Sequence, residues 1–247
     1  MVSSYYIALN RTPGVAGLRL RELDGHAEMG AADGGTPAVL EWLDYLLEES
    51  VVRSGQLTVA DRDLLLAAIY QREYGDRIES TIRCGQCGEP FDFSFSLDGL
   101  MRHLGSNAGS ADGVYRLTDG TCFRLPTGAD ELESLQVPVE QREQRLLERC
   151  IVGGARVDAA EMEAAMSGIA PLLSTELVAQ CVECGKEQPL HFDIQSLLFL
   201  RLARERREVA RQVHLLASTY KWGREEILNL SREERRAYSA MIEFERR

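Results

Sequence analysis

The sequence has no run of apolar residues approaching the roughly 20 that a membrane-spanning helix requires. Its first residues, Met1 to Tyr6, also lack a basic region followed by an apolar core, so they do not predict a signal peptide. Cysteine and histidine are sparse, with six and four residues respectively. We therefore expect a cytoplasmic protein, in which disulfides are disfavoured.

The sequence motifs of common enzyme classes are missing as well. There is no phosphate-binding Gly-Lys-Ser/Thr loop, no Gly-x-Ser-x-Gly elbow, no His-Glu-x-x-His motif and no dinucleotide fingerprint. The histidines have no carboxylate or nucleophile at a suggestive spacing; they are His26, His103, His191 and His214. We expect a non-enzymatic protein, and a redox or hydrolytic enzyme with an unrecognised site is kept as an alternative.

The charge is acidic and unevenly distributed along the chain. The formal net charge is −11, from 28 Lys and Arg against 39 Asp and Glu residues. Residues 201–247 carry 12 basic and 8 acidic side chains, so residues 1–200 have a net charge of −15. An acidic body repels a phosphate backbone, whereas nucleic-acid binding depends on phosphate neutralisation. The charge pattern therefore disfavours nucleic-acid binding.

Apolar periodicity and helix caps predict an α+β fold that is mostly helical. Strands are predicted over 16–23, in strand–turn–strand units over 77–97 and 175–194, and in a hairpin over 114–125 around Asp119-Gly120. Helices are predicted to begin near Thr36, Thr58, Thr127, Val139, Asp158 and Gln195, and the one from Val139 is predicted to end at Ile151. After a break at Lys221-Trp222-Gly223, two shorter helices are predicted, the last of which begins at Ser231.

This pattern divides the chain into three predicted regions. They are an N-terminal strand and linker over 1–36, a helical and zinc-ribbon domain over 37–200, and a C-terminal helical region over 201–247. The domain contains a predicted insertion over about 98–174. Stretches rich in glycine predict a linker over 30–35 and a flexible loop over 105–113.

The sequence contains two Cys-x-x-Cys-Gly motifs with 93 residues between Cys87 and Cys181, and each motif lies at the turn of a predicted hairpin. Two thiolates in this spacing can bind one tetrahedral ion at about 2.3 Å, and the glycine supplies left-handed backbone that turns amides toward the sulfurs. One motif provides two ligands, whereas structural zinc requires four. The sequence therefore predicts one structural zinc ion in a zinc-ribbon-like β unit, with the ligands Cys84, Cys87, Cys181 and Cys184.

Other arrangements of the cysteines stay open at this point. Each motif could meet its own copy in a dimer, or recruit His103 or His191 as a ligand. A thioredoxin-like redox pair is disfavoured because such a pair precedes a helix, whereas a glycine and a strand follow here. Cys122 and Cys150 are predicted to be small buried apolar residues.

The first hundred residues resemble the baseplate-hub assembly proteins of T-even-like contractile phages. That family has a leucine-rich N-terminal strand ending in glycine, then helices, then a cysteine turn and an alternating strand. The corresponding residues here are Leu20-Arg21-Glu22-Leu23-Asp24-Gly25, Val51-Val52, the run from Leu57 to Leu66, and the run from Tyr74-Gly75-Asp76 through Cys84-x-x-Cys87-Gly88 to Phe91-Asp92-Phe93.

Later motifs resemble related proteins of phage and phage-like injection systems. They are the second cysteine motif, His214-Leu215-Leu216-Ala217, Tyr220-Lys221-Trp222-Gly223, Glu226-Ile227-Leu228 and Arg235-Arg236-x-x-Tyr238. The resemblance implies a non-enzymatic component or assembly factor of a contractile tail, with other baseplate, hub or tube proteins as partners. The alternative from another class is a zinc-ribbon adaptor that contacts nucleic acid or transcription machinery.

The C-terminal helices are predicted to carry the partner-docking surface. Tyrosine, tryptophan and arginine often anchor interfaces, because they bury a large area and keep a polar group. The predicted partner-binding residues are Trp222, Arg235, Arg236 and Tyr238. The competing interpretation is that these residues only cover the end of the long helix.

Overall fold

The computed structural model describes residues 4–31, 34–48, 52–105, 110, 112–153 and 158–245. Helices make up about 53% of the described residues and the sheets are small and antiparallel, which confirms the predicted α+β class. Within the described ranges, no helix is long and apolar enough to cross a membrane. Parts of the predicted linker (32–33) and loop (106–109 and 111), and Val51, lie outside the described residues.

The chain divides into two compact units that do not follow the predicted boundaries at 36/37 and 200/201. Unit 1 comprises Met1–Ala8, Gly17–Gly55 and Leu198–Arg247, and unit 2 comprises Leu9–Ala16 and Gln56–Leu197. The N-terminal strand thus belongs with the C-terminal helices instead of forming a separate region. The reason lies in the contacts of unit 1, where the N–H of Arg232 donates to the carbonyl of Leu23 at 3.2 Å.

Unit 1 combines a two-stranded sheet with helices from both halves of the chain. Strand β1 (Ser4–Ala8) pairs antiparallel with β2 (Gly17–Arg21). The sequence predicted β2 but neither β1 nor the first helix. The helices of unit 1 are α1 (Gly25–Gly30), α2 (Thr36–Leu46), the part of α8 (Ile194–Tyr220) from Leu198 onward, α9 (Arg224–Leu228) and α10 (Arg232–Glu245).

An aromatic residue of α2 joins three of these helices. The indole N–H of Trp42 donates to the carbonyl of Ala27 in α1 at 2.8 Å, and its ring meets the ring of Phe199 in α8 edge-on at 5.1 Å. Trp42 is itself buried, as the predicted apolar face of α2 requires. The core of unit 1 therefore contains residues from both halves of the sequence.

Unit 2 is built on α3 (Val59–Tyr74) and two hairpins. Helix α3 begins after Thr58, whose hydroxyl oxygen accepts from the N–H of Asp61 at 3.3 Å, and it ends at Gly75, as predicted. The hairpins also match their predicted positions. They are β3 (Arg77–Arg83) with β4 (Pro90–Ser96), and β8 (Ser174–Gln180) with β9 (Glu187–Asp193).

The segment between these hairpins also belongs to unit 2. Its predicted hairpin, β5 (Val114–Arg116) and β6 (Cys122–Arg124), gains a third strand, β7 (Ile151–Gly153), beside β6. The sequence had assigned Ile151 to the end of a helix. The helices of this segment are α4 (Leu97–Leu104), α5 (Gly128–Ser134), α6 (Val139–Cys150) and α7 (Ala159–Ile169).

A buried carboxylate connects the elements of this segment. Asp130 is 1% exposed and accepts two hydrogen bonds from Arg124, at 2.6 and 2.8 Å, and one from Arg149 at 2.8 Å. Burial alone would raise the pKa of Asp130, but the hydrogen bonds from Arg124, Thr127 and Arg149 outweigh it and hold that pKa well below its usual range. The ion cluster therefore fixes α5 against the β6 strand and the end of α6.

A second buried carboxylate, Asp63 of α3, has the opposite shift. Its Oδ2 accepts from the N–H of Leu173 at 2.9 Å, and its Oδ1 lies 4.0 Å from the Arg62 guanidinium. Burial raises the pKa of Asp63 to about 7, and Arg62 opposes this rise only in part. Arg62 is shared with Glu131, which limits the charge available to Asp63.

We predict that Asp63 makes unit 2 less stable as the pH rises from about 4 to about 7. In that window the folded protein holds a proton on Asp63 that the unfolded chain has released, so the free energy of unfolding falls with pH. The fall should be on the order of a few kcal/mol and should be absent in Asp63→Asn, which keeps an acceptor for Leu173.

Urea unfolding of both proteins at several pH values measures this difference. The comparison cancels the pH dependence of every other group, including the cysteines. Parallel stability curves for the native protein and Asp63→Asn would contradict the prediction.

Candidate metal centre

The two cysteine motifs occupy equivalent turns in the two hairpins of unit 2. Each hairpin has strands of seven residues, closed by the pair Arg83 and Pro90 in the first and by Gln180 and Glu187 in the second. The sequence 84–89 forms the first turn and the sequence 181–186 forms the second. The two Cys-x-x-Cys-Gly motifs therefore lie in hairpins of the same local structure.

Backbone hydrogen bonds shape the first turn around its sulfurs. The N–H of Cys84 donates to the carbonyl of Glu89 at 2.9 Å, and the N–H of Gly88 donates to the carbonyl of Cys84 at 3.0 Å. Gly88 has φ +77°, in the left-handed region that favours glycine. The N–H of Gln86 points to Sγ of Cys84 at 3.4 Å, as expected for a turn whose amides face a thiolate.

The second turn repeats this arrangement. The N–H of Cys181 donates to the carbonyl of Lys186 at 3.0 Å, and the N–H of Gly185 donates to the carbonyl of Cys181 at 2.9 Å. Gly185 has φ +72°. Both turns thus have the backbone geometry that presents two sulfurs to one ion.

The four sulfur atoms of the two turns lie within 4.8 Å of one another. Sγ of Cys84 is 3.6 Å from Sγ of Cys184, and Sγ of Cys87 is 3.8 Å from Sγ of Cys181. Four sulfurs at about 2.3 Å from a tetrahedral ion would be about 3.8 Å apart, whereas a disulfide requires about 2.0 Å. The cluster could therefore hold one metal ion between the two hairpins, and its cysteines are free thiols.

Two of the four cysteines are part of a small apolar cluster. Cys84 and Cys181 are 2% and 1% exposed, and they pack with Phe91 and Ala179. Cys87 and Cys184 lie at the surface. Phe95 of the first hairpin meets Phe192 of the second edge-on at 5.2 Å. The hairpins are thus held in contact by side chains on the strands as well as by the turns.

The surroundings of the first turn shift the pKa values of its two cysteines in opposite directions. The N–H groups of Cys87 and Gln86 donate to Cys84 and lower the pKa of its thiol to about 6. The N–H of Glu89 lowers the pKa of Cys87, but desolvation and the neighbouring thiols outweigh it and raise that pKa to about 12. The negative charge of further thiolates therefore needs a cation beside it, and binding such a cation releases protons.

The histidines considered as alternative ligands lie elsewhere. His191 is on β9, where its Nδ1 is 3.0 Å from Oε1 of Glu176 on the paired strand, and His103 is exposed on α4.

Cys150 is fully buried, and burial raises the pKa of its thiol to about 11, which agrees with its predicted role as an apolar residue. Cys122 is half-buried, and its Sγ lies 3.8 Å from the carbonyl oxygen of Gly120.

The predicted partner-binding residues take different positions in unit 1. Trp222 and Tyr238 are half-buried in an aromatic cluster with Tyr220, in which the ring centroids are 4.9 to 6.0 Å apart. The side chain of Arg236 is 53% exposed. These three residues remain candidates for partner contact.

The structure corrects the prediction for Arg235. Its side chain is 0% exposed and forms a buried ion pair with Glu28 of α1, which also accepts from Arg232 at 2.7 Å. Arg235 therefore stabilises unit 1 instead of contacting a partner. One local signal pointed to this: Arg232, Arg235, Ser239 and Ile242 recur at helical spacing, which places both arginines on the buried face of α10.

We predict that Cys84→Ser and Cys181→Ser each lose the metal ion and lose similar stability, on the order of several kcal/mol, because each leaves a site with three sulfurs. Cys122→Ser is the matched control, since its sulfur lies outside the cluster, and it should retain the ion. Metal content by mass spectrometry and unfolding in denaturant measure both effects. Two ions per chain, or an ion retained in Cys181→Ser, would rule out a site shared by the two hairpins.

The chain matches no protein-family model, no curated protein sequence and no solved structure. Its candidate function therefore rests on its own residues and on their geometry.

Proposed function

We propose that the protein is a non-enzymatic structural or assembly component whose zinc-ribbon-like β unit holds one structural zinc ion. The observation that carries this proposal is the meeting of four cysteine sulfurs from two hairpin turns within 4.8 Å. Four protein ligands fill a tetrahedral coordination shell, whereas a catalytic zinc site keeps one position for water or substrate. The ion then serves to hold two hairpins together.

Zinc is the ion that this ligand set favours. Thiolates are soft ligands, and a tetrahedral set of four selects zinc or iron. Zinc has no redox chemistry, which suits an ion that only connects two parts of a fold. The amide directed at Cys84 is a contact that stabilises a metal-bound thiolate.

We place this component in the baseplate, hub or tube of a contractile tail or injection system. The support is the resemblance of the first hundred residues to baseplate-hub assembly proteins. The run from Leu57 to Leu66 covers the start of α3, and Cys84 to Phe93 covers the first cysteine turn and most of β4. The motifs of the resemblance thus include the elements that present half of the metal ligands.

A surface on α10, here named the α10 surface, is the proposed contact with another tail protein. Met241 and Phe244 are 56% and 81% exposed, and a spacing of three residues places them on one face of the helix. Neighbouring exposed apolar side chains are typical of interaction sites. The α10 surface comprises Arg236, Tyr238, Met241 and Phe244 of α10, together with Trp222, whose ring lies edge-on to Tyr238 at 5.2 Å.

We predict that the double variant Met241→Ser, Phe244→Ser folds with its metal ion but lowers the yield of assembled particles in the native host. Both side chains are exposed, so stability should change by no more than about 0.5 kcal/mol per site. Val139→Ser, a change at a 65% exposed valine in unit 2, is the matched control and should leave the yield unchanged. Electron microscopy of purified particles gives the yield, and a native yield from the double variant would contradict the α10 surface.

The alternative function is a zinc-ribbon adaptor that contacts nucleic acid or transcription machinery. Its support is the helix–turn–helix-like ending from Trp222 to Tyr238, together with the basic character of residues 201–247. However, Arg211 pairs with Glu208 at 2.6 Å and with Glu243 at 2.5 Å, and Arg232 is buried against Glu28. These charges are balanced inside unit 1, which favours the structural proposal over nucleic-acid binding.

We predict no binding to duplex DNA tighter than non-specific association, which is on the order of 10⁻⁴ to 10⁻⁶ M at physiological salt. The reason is the net charge of −15 on residues 1–200 together with the paired arginines of unit 1. A gel-shift assay on metal-loaded protein measures this. A sequence-dependent shift at nanomolar protein would instead favour the adaptor.

A further inference from the structure

A cavity of about 380 Å³ lies in unit 2, between the segment Leu9–Ala16, helix α3 and the end of α4. Small-molecule sites occupy about 300–1,000 Å³ and have mostly apolar walls with a few placed polar groups. The cavity has this character. The lining residues that matter here are the apolar Leu64, Met101 and Leu104 and the polar Asn10, Arg11 and Arg102.

Arg11 is the buried charge of this cavity. It is 4% exposed, and its Nη1 has no hydrogen-bond partner in the part of the chain that the structure describes. A buried N–H group without a hydrogen-bond partner costs free energy, and an acceptor placed against the guanidinium would remove part of that cost. The metal centre and the α10 surface do not use this guanidinium.

The fold sets the position of Arg11 through its backbone. Oδ2 of Asp61 accepts from the N–H of Arg11 at 3.1 Å and from the N–H of Thr12 at 2.6 Å, and the N–H of Thr58 donates to Oγ1 of Thr12 at 3.0 Å. The fully buried Asp61 carboxylate thus accepts its hydrogen bonds from backbone amides of this segment. The segment is fixed to the start of α3 by contacts that do not involve the Arg11 side chain.

The charge balance of the cavity selects a monoanion. Arg102 is 75% exposed and pairs with Asp98 at 3.0 Å, so its charge is already balanced at the edge of the cavity. Arg11 therefore supplies one unit of positive charge, and the buried Asp61 carboxylate beside its backbone adds one negative charge, so a carboxylate is better matched than a phosphate dianion. The planar guanidinium also matches a carboxylate through two parallel hydrogen bonds.

We propose that this cavity binds a monocarboxylate with a short aliphatic body, with the carboxylate on Arg11 and the body against Leu64, Met101 and Leu104. A free aliphatic acid and the C-terminal residue of a polypeptide share this chemistry. The site is independent of the metal centre and of the contractile-tail assignment.

The test uses the full, metal-loaded protein and calorimetric titration with N-acetyl-leucine up to about 10 mM, a range suited to weak small ligands. N-acetyl-leucine should bind at least about tenfold more tightly than its amide, because only the acid forms the charge-assisted pair. Arg11→Met should abolish binding, whereas the matched variant Arg102→Met should weaken it by no more than about threefold, since Arg102 is exposed and already paired.

Stability gives a second, independent readout. Methionine keeps an unbranched side chain in the packed position of Arg11 and removes an Nη1 that has no hydrogen-bond partner among the described residues, so Arg11→Met should keep its metal ion and unfold at the native Tm or above it. A clear fall in Tm would show that the guanidinium has a partner within the protein, and would overturn the proposal.

The binding outcomes are equally decisive. Failure of N-acetyl-leucine to bind, equal binding of the acid and the amide, tighter binding of inorganic phosphate, or undiminished binding in Arg11→Met would each overturn the proposal. If the acid binds as expected, a tetrapeptide ending in leucine identifies the source. At least about tenfold tighter binding of the peptide assigns the site to a polypeptide C-terminus, and similar binding assigns it to a free acid.

Discussion

The structure of unit 2 depends on the meeting of four sulfur atoms from turns that are 94 to 100 residues apart in sequence. Closing a loop of roughly 100 residues removes conformational entropy equivalent to about 4–5 kcal/mol in a chain-entropy account, and a cross-link that closes it stabilises the fold by lowering the entropy of the unfolded chain. The apolar cluster that contains Cys84 and Cys181 is small, with four buried residues including these two cysteines. Isolated hairpins are marginally stable in water. An ion bound by the four sulfurs would add to the contact of Phe95 with Phe192 in holding the two hairpins together.

The two hairpins of the candidate metal centre share the same local structure. Each hairpin leads directly into a helix, β4 into α4 and β9 into α8. In each case the last strand residue caps that helix: Oγ of Ser96 accepts from the N–H of Gly99 at 2.9 Å, and Oδ1 of Asp193 accepts from the N–H of Ser196 at 2.6 Å. Because each copy supplies two ligands, neither completes a four-sulfur site alone. The segment between them can form its own core without disturbing the ligands.

Sequence reasoning succeeded where the signal is local and failed where the partner is distant. The cysteine spacing, Gly88 and Gly185 predicted two similar turns whose cysteines meet, and Thr58 predicted the start of α3, because turns and caps are encoded by adjacent residues. Strand β1 was missed because its sequence has no clear alternation, and β7 because its three residues follow a helix directly and are defined only by pairing with β6. The helical spacing of Arg235 and Ile242 indicates a shared face of α10, but the ion pair of Arg235 was missed because Glu28 lies about two hundred residues away. Arg11 carried no sequence signal at all, since only its burial in unit 2 makes it exceptional.

X-ray absorption spectroscopy at the zinc edge of the purified protein tests the central claim most directly. If the two hairpins share one structural zinc ion, the spectrum should show a single shell of four sulfur ligands at about 2.3 Å, with one zinc per chain. Nitrogen or oxygen in the first shell, fewer than four sulfurs, or protein that folds and remains stable without zinc would contradict the account.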